Sequence, residues 1–202
     1  MLDIQVIDDP AAAQASLDPI KARLLAELGQ PASAAQLAAR LGMPRQKINY
    51  HLRALEAHGL VGVAEEKQWG GLTERRLVAT AASYVVSPSA SGPVAADPGR
   101  AADRLSAGYM IALAARIVRE AGELWRRARE SGKRLATLSI DTEIRFASPA
   151  ARADFTREIS EAVATIAARH HQPDNPDGRT FRLVLAAYPK PGQSPGKDET
   201  CH

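Results

Sequence analysis

The chain has 202 residues, of which 45% are hydrophobic, 24% are charged and 4% are aromatic. This length suits one large domain or two small ones, and the apolar fraction is high enough for a packed core, which excludes a disordered chain. The net charge of +3 is only mildly basic and identifies no partner by itself, so the distribution of charge along the chain is more informative.

Cysteine content and hydropathy indicate where the chain works. Cys201 is the only cysteine, so no intramolecular disulfide can form, which is typical of a reducing cytosol. The sequence has no run of about 20 apolar residues that could span a membrane. Its acidic N-terminus lacks a signal-peptide pattern. We therefore predict a cytoplasmic protein with no membrane partner.

Changes in composition divide the chain into five zones. A stretch rich in Pro, Gly, Ser and Ala separates two segments with periodic apolar residues, and a Pro-rich tail ends the chain. The predicted zones are a leader at 1–17, in which Ile4–Ile7 can form an edge strand, an N-terminal unit at 18–86, a linker or long loop at 87–103, a C-terminal unit at 104–188 and a disordered tail at 189–202.

Capping residues mark three short helices in the N-terminal unit. Asp18 can cap the first helix, and Pro19 suits its first position. Ser33 starts the second helix, and Gln36 completes a capping box three residues later. Pro44 starts the third helix, whose apolar residues recur at helical spacing and form a buried stripe.

A tight turn and a hairpin complete this unit. Gly42 closes the second helix and opens the turn into the third, which ends at Gly59. Two short helices joined in this way, with the second basic near its start, are a helix-turn-helix pattern. The segments Leu60–Lys67 and Leu72–Ala79 are predicted as paired strands around a turn at 69–71, and a hairpin in this place is a wing.

One segment of the N-terminal unit resembles a known family. Residues 17–61, LDPIKARLLAELGQPASAAQLAARLGMPRQKINYHLRALEAHGLV, are similar to the winged helix-turn-helix of the ArsR family, most specifically in the string HLRALEAHGLV. The hairpin that ends in Glu74-Arg75-Arg76-Leu77 is also similar to that family's wing. The resemblance covers about a third of the chain and does not reach the C-terminal half. It implies a dimeric transcription regulator that binds a two-fold operator in double-stranded DNA.

Polar side chains of the third helix are the candidate DNA contacts, because they lie away from its buried stripe. Those near the start would reach base edges, since Arg can pair with guanine and Gln or Asn with adenine. Lys47 and Arg53 would instead hold phosphates, and wing residues would reach the flanking backbone or minor groove. The predicted DNA-binding residues are Arg45, Gln46, Lys47, Asn49, Tyr50 and Arg53 on the helix, and Lys67, Gln68, Arg75 and Arg76 in the wing.

These assignments have structural alternatives. Arg53 could instead pair with Glu56 on its own helix, and Arg75 and Arg76 could be solvated cations without a partner. His51, which recurs in the family that the segment resembles, is expected to support the helix and not to read bases. The alternative function is a winged helix that contacts proteins without specific DNA binding.

A long helix is predicted over residues 104–130. Its apolar residues alternate four and three positions apart, as in a coiled-coil seam, so a wide apolar face has to be buried. ArsR-like dimers often pair through helices that flank the DNA-binding unit, so the resemblance makes this helix the candidate homodimer interface. An ordinary core helix is the alternative. The predicted interface residues are Met110, Ala114, Ile117, Ala121, Leu124 and Trp125.

Alternating apolar and polar residues predict two strands around another helix. Leu138–Phe146 alternates as a half-buried strand, Ser148-Pro149 starts the helix, and Phe181–Ala187 forms the last strand. The side chains expected on the inner side of that helix are Phe155, Ile159, Val163 and Ile166. The predicted fold class is therefore α+β and mainly helical, with an N-terminal winged helix-turn-helix and a C-terminal helix-strand-helix-strand unit.

The C-terminal unit indicates no metal centre, cofactor or catalytic site. Adjacent His170 and His171 do not converge on one ion, and Asp141 and Glu143 are explained by a solvated strand face. No nucleophile elbow or phosphate loop is present, so we expect no enzyme activity. Two hypotheses stay open for this unit. It either binds a small apolar or mixed effector between the long helix and the sheet, or it only dimerises.

Overall fold

The computed structural model of the chain describes residues 1–69 and 72–191. Two predicted features lie wholly or partly outside these ranges. They are the turn at 69–71, of which only the first residue is described, and the tail at 189–202, of which only the first three residues are described.

The chain folds into two compact units. The first spans Met1–Leu135, and the second begins at Ala136. Helices and strands are both present and helices predominate, so the predicted α+β, mainly helical fold class is confirmed. No helix in the described ranges is long and apolar enough to cross a bilayer.

Helices and strands alternate along the first unit. Its elements are β1 (Leu2–Ile7), α1 (Pro10–Leu17), α2 (Pro19–Glu27), β2 (Ala32–Ser33), α3 (Ala34–Leu41), α4 (Arg45–Ala57), β3 (Val61–Trp69), β4 (Leu72–Ala79), β5 (Ala81–Val86), two 3₁₀ helices (Pro88–Val94 and Pro98–Arg100) and α5 (Ala107–Glu130). One sheet is antiparallel in the order β2–β4–β3, and β1 pairs in parallel with β5 in a second sheet. The second unit contains α6 (Pro149–His170).

Local capping sets the helix-turn-helix, as the sequence predicts. The Asp18 carboxylate accepts two backbone N–H bonds of 3.0 Å from the first turn of α2. At the start of α3, the Ser33 N–H donates to the Gln36 side-chain oxygen at 2.9 Å, and the Ser33 hydroxyl accepts from the Gln36 N–H, which forms the capping box. Gly42 follows α3 with a φ of 63°, a left-handed conformation that favours glycine and turns the chain toward α4.

Aliphatic side chains hold these helices against the antiparallel sheet. The fully buried large apolar side chains are Leu24, Leu28, Leu37, Ile48, Leu55 and Leu60. β4 lies at the centre of the sheet, and its Leu77 is buried between Ala32 of β2 and Val63 of β3. Each fully buried Leu or Ile contributes about 1.5–3 kcal/mol of transfer free energy, so this cluster holds α4 firmly in place.

The N-terminal segment differs from its predicted role as a leader. The strand expected at Ile4–Ile7 is present within β1, where it pairs in parallel with β5, so that Ile7 lies opposite Val86. The sequence patterns do not predict α1, which Asp9 caps and whose buried alanines pack on the core. Its alanine-rich sequence has no clear amphipathic period, and a parallel pairing between distant segments has no local signal.

The predicted linker at 87–103 lies within the first unit, and part of it packs on the N-terminal segment. Ser87 is fully buried, and the Ser89 hydroxyl donates to the Asp8 carboxylate at 3.0 Å. Both 3₁₀ helices contact α5, which also contacts β1. The boundary between the units therefore follows α5, at Leu135, and does not precede it, because α5 packs on elements of the N-terminal half.

The two strands predicted in the second unit do not form, which corrects that part of the expected architecture. Residues 138–146 and 181–187 have no regular secondary structure. Apolar side chains in both segments are open to solvent, since Leu138 is 80% and Phe181 is 70% exposed. Alternation shows which side chains would suit a sheet face, but a strand also needs a neighbour that accepts its backbone hydrogen bonds.

The helix of the second unit begins where the sequence predicts. The Ser148 hydroxyl accepts an N–H bond of 3.1 Å from the first turn of α6. The expectation that its apolar side chains are inside is wrong for the single chain, because Ile159 and Ile166 are exposed. The sheet predicted to cover them does not form in the described part of this unit, although Phe155 contacts Phe146 with ring centroids 5.3 Å apart.

Candidate nucleic-acid interface

α4 has one buried side and one open side. Ile48, Leu52 and Leu55 pack into the core. The side chains that line one open depression on the other side are Arg45, Gln46, Asn49, Tyr50 and Arg53. Lys47 is exposed as well, and only Asn49 among the six is half-buried. The structure thus brings together on one surface five of the six helix residues that the sequence predicts as DNA contacts, and Lys47 is exposed but does not line this depression.

The open side of α4 is cationic. Arg45 and Arg53 line its depression, Lys47 is a further exposed base of the helix, and the single acid of α4, Glu56, lies in the last turn. At the other end, Pro44 is the N-cap and provides no side-chain hydrogen bond to the first-turn N–H groups. Unpaired N–H groups give the start of a helix a partial positive charge, and neighbouring basic side chains add to it. This arrangement favours the approach of a phosphate backbone.

His51 lies on the buried side of α4. Its ring meets Tyr50 edge-on, with the ring centroids 5.4 Å apart. Its Nδ1 is buried and has no hydrogen-bond partner among the residues that the structure describes. This placement agrees with a packing role for His51, away from the surface that could read bases.

Arg75 forms ion pairs with two carboxylates. Arg75 Nη2 lies 2.6 Å from Glu56 Oε1 on α4, and Arg75 Nε lies 3.1 Å from Glu66 Oε1 on β3. The hydrogen bond with Glu56 is the largest cause that raises the pKa of Arg75 above its usual value. Glu56 therefore pairs with the wing, whereas the sequence alternative pairs it with Arg53. Sequence reasoning missed this role of Glu56 because the two partners are distant along the chain.

Arg76 points to the other face of the hairpin. Its Nη1 lies 3.0 Å from Glu65 Oε2, and its Nη2 donates to the Pro31 carbonyl at 2.6 Å. Lys67 and Gln68 are exposed near the end of β3, with the Lys67 ammonium 3.9 Å from Glu65 Oε2. Of the four predicted wing contacts, these two are the more open to an approaching duplex.

The predicted homodimer seam of α5 lies open in the single chain. Ile117 is 43% exposed and Leu124 is 50% exposed, whereas Ala112 on another side of the helix is buried. Of the other predicted interface residues, Ala114 and Ala121 are exposed and Met110 and Trp125 are half-buried. α5 therefore packs with one side on the other elements of the first unit and presents an apolar stripe on another side.

Side chains able to bind a metal are dispersed in the described part of the chain. Nowhere in it do three His, Cys, Asp or Glu side chains lie close enough to hold one ion. In the second unit the Glu143 carboxylate lies 2.5 Å from the Lys190 ammonium, so this acid has a cationic partner of its own.

Comparison with known proteins agrees with this geometry. Residues 17–63 match the family model described as a helix-turn-helix domain, a span that includes α2, α3 and α4 and ends within β3. The first unit contains a helix-turn-helix domain. The predicted helix-turn-helix is thereby confirmed, and its resemblance to the ArsR family stays a prediction.

Similarity over a longer part of the chain is weaker. A solved structure described as an ArsR-like transcriptional regulator from Rhodococcus sp. RHA1 is 24% identical, and the alignment covers 75% of this chain and 89% of that one, with a TM-score of 0.30. A TM-score this low does not establish a common overall arrangement, so the match of the helix-turn-helix domain carries the assignment. Among curated proteins, none matches the chain significantly.

Proposed function

We propose that this helix-turn-helix protein is a sequence-specific transcription regulator that places α4 in the major groove of double-stranded DNA. The observation that carries the proposal is the open cationic side of α4, which lies opposite the buried aliphatic stripe. The major groove admits an α-helix, and the second helix of a helix-turn-helix contacts base edges with residues near its start.

Residues in the first turns of α4 would read the base sequence. Arg45 can donate two hydrogen bonds to guanine O6 and N7, and Gln46 or Asn49 can bond adenine at N6 and N7. Lys47 and Arg53 supply positive charge to phosphates, which fixes the position of the helix and sets most of its salt dependence. Tyr50, which is largely exposed, would meet a sugar or a thymine methyl group.

The wing would extend the contact beyond the major groove. Lys67 and Gln68 are exposed at the end of β3 and are suited to the flanking phosphate backbone. The DNA contacts that the sequence predicts for Arg75 and Arg76 are not part of this proposal, because both guanidinium groups are engaged by carboxylates in the free protein.

We also propose that two copies bind a two-fold operator through the apolar stripe of α5. Apolar residues alternating four and three positions apart form the seam that a pair of helices buries. Ile117 and Leu124 lie in this stripe one heptad apart, and both are exposed in the single chain. Binding of a small effector by the second unit stays a prediction.

Selection of bound fragments from sheared genomic DNA tests the proposed function. We expect enrichment of a two-fold motif whose half-sites are about one helical turn apart. Gln46→Ala should relax the base preference at one position of each half-site. Arg23→Ala is the matched control, because it removes an exposed side chain from α2, and it should keep the motif. Loss of all duplex binding, or retention without any preferred sequence, would favour the winged helix that contacts proteins.

A further inference from the structure

We propose that Arg75 is a positioning residue, which holds the wing at a fixed angle to α4 through Glu56 and does not itself contact DNA. The inference rests on the proposed function, because it concerns how α4 and the wing are presented together to one duplex. It also gives a role to Glu56, the single acid on a helix whose open side is otherwise cationic or neutral.

Arg75 is held from two directions. Its Nη2 and Nη1 lie 2.6 and 3.4 Å from the two carboxylate oxygens of Glu56, and this forked pair fixes the plane of the guanidinium. Its Nε donates to Glu66 Oε1 at 3.1 Å. Because Arg75 belongs to β4 and Glu66 to β3, one side chain ties α4 to both strands of the wing.

A β-bulge sets the register that this network needs. The regular pairing of β3 with β4 is interrupted after Val63, and beyond the extra residue Ala64 it resumes with Glu65 opposite Arg76 and Glu66 opposite Arg75. Without the bulge, Glu65 would lie opposite Arg75. Side chains of a strand alternate between its two faces, so this shift decides which acid shares the face that looks toward α4.

The other face of the hairpin is anchored as well. Arg76 follows Arg75 directly and points the opposite way, where its Nη1 lies 3.0 Å from Glu65 and its Nη2 donates to the Pro31 carbonyl at 2.6 Å. The hairpin is therefore held between α4 and the turn that precedes β2. A wing held from both faces keeps its angle before DNA arrives, which lowers the ordering cost of binding.

The charges of the wing favour this role over a phosphate contact. Between Val61 and Ala79, three basic residues are balanced by three acidic ones, so the wing has no excess of positive charge. To reach a phosphate, Arg75 would have to leave Glu56 and Glu66. Both carboxylates would then face the DNA backbone without a partner, and like charges repel.

The substitution Glu56→Gln separates the two roles by the sign of its effect. If Glu56 positions the wing, the neutral amide in the Glu56→Gln variant weakens the link between the hairpin and α4. The DNA affinity of the proposed dimer, which has one wing in each chain, then falls about fivefold. If Arg75 is a phosphate contact for which Glu56 competes, removal of the acid frees it and binding tightens. Glu27→Gln is the matched control, because Glu27 forms an exposed ion pair of 3.5 Å with Arg40, away from the wing. That variant should bind DNA as the wild type does.

Two further measurements complete the test. Arg75→Gln should lower the affinity without changing the slope of log Kd against log salt concentration. Combined with Glu56→Gln it should lower the affinity no further, since both substitutions remove the same link. In the free protein, amide hydrogen exchange of the hairpin should be faster in Glu56→Gln than in the wild type and in Glu27→Gln.

Three results would overturn the proposal. They are tighter DNA binding by Glu56→Gln, a salt slope reduced by about one per wing in Arg75→Gln, and unchanged hydrogen exchange of the hairpin in Glu56→Gln. The hydrogen-exchange measurement tests whether Glu56 holds the hairpin even if the protein binds no DNA. Failure of the proposed function would be distinguishable, because the wild-type protein would then bind no duplex DNA.

Discussion

Gly122 of α5 lies directly against Val6 of β1. A methyl group added at Gly122 would lie 2.9 Å from both Cβ and Cγ1 of Val6, well inside the usual separation of carbon atoms. This close approach fixes the helix that carries the proposed dimer seam to the unit that contains α4. The geometry of the proposed dimer therefore depends on a residue without a side chain.

Gly122→Ala should destabilise the protein. The added methyl forces Val6 or α5 to move, at a cost of about 1–3 kcal/mol that exceeds the gain of about 1 kcal/mol from alanine in a helix interior. We expect a lower urea midpoint. Gly108→Ala is the matched control in the same helix, because its methyl would meet only the Ser106 hydroxyl at 3.8 Å. Equal midpoints for the two variants would contradict the close packing of α5 on β1.

We expect position 42, in the turn between α3 and α4, to require glycine. Gly42 has a φ of 63°, and a Cβ there would meet no atom within 4 Å, so the cost of Gly42→Ala is backbone strain. We expect a loss of about 1–2 kcal/mol in the free energy of unfolding. Gly62→Ala is the control, since Gly62 also has open space but no positive φ. It should match the wild type within about 0.5 kcal/mol, and a similar result for Gly42→Ala would rule out the left-handed turn.

Helix starts and the hairpin can be predicted from the sequence because their signals are local. Asp18 and Ser33 cap backbone groups only two or three residues away. The open side of α4 follows from the same short-range periodicity, so the sequence also predicts its candidate contacts. By contrast, the pair between Glu56 and Arg75 depends on how the hairpin packs, which no spacing rule shows.

In the second unit, the alternation of apolar and polar residues is not sufficient to predict strands. The segments 138–146 and 181–187 have the pattern of strands, yet neither has a hydrogen-bonding neighbour strand among the residues that the structure describes. In the first unit, the strand at β1 had a weaker pattern but found a partner in β5. The alternation of apolar and polar residues shows which side chains suit a sheet face, whereas the pairing of two strands depends on the tertiary fold.

Asp18 should make the stability of α2 depend on pH. Backbone N–H bonds, of which the one from Lys21 is the largest cause, hold the pKa of Asp18 below its usual value. Because the pKa is lower in the folded state, the stabilisation is complete at neutral pH and is lost as the pH falls from about 4 through the folded pKa. Asp18→Asn can still cap the helix but does not titrate.

The stability difference between the wild type and Asp18→Asn should therefore shrink between pH 7 and about pH 3. Urea unfolding at the two pH values measures it. A difference of the same size at both would show that the Asp18 carboxylate gains nothing from its two backbone hydrogen bonds.

A charge within the stripe of α5 should separate the proposed dimer. Leu124→Asp would bring two carboxylates together on an apolar seam, so light scattering should show one chain where the wild type shows two. DNA affinity should fall by at least about tenfold, because the two half-sites would no longer be bound together. Arg119→Asp changes an exposed residue of α5 outside the predicted seam and should stay dimeric. A Leu124→Asp protein that stays dimeric would place the interface elsewhere.

The salt dependence of binding to one selected duplex tests most directly whether the exposed basic side chains of α4 bind DNA. Lys47→Ala should weaken binding to every sequence and reduce the slope of log Kd against log salt concentration by about one for each α4. Arg23→Ala, on α2, should keep the wild-type slope. A wild-type affinity that does not change with added salt, or the same slope for Lys47→Ala as for the wild type, would contradict the account.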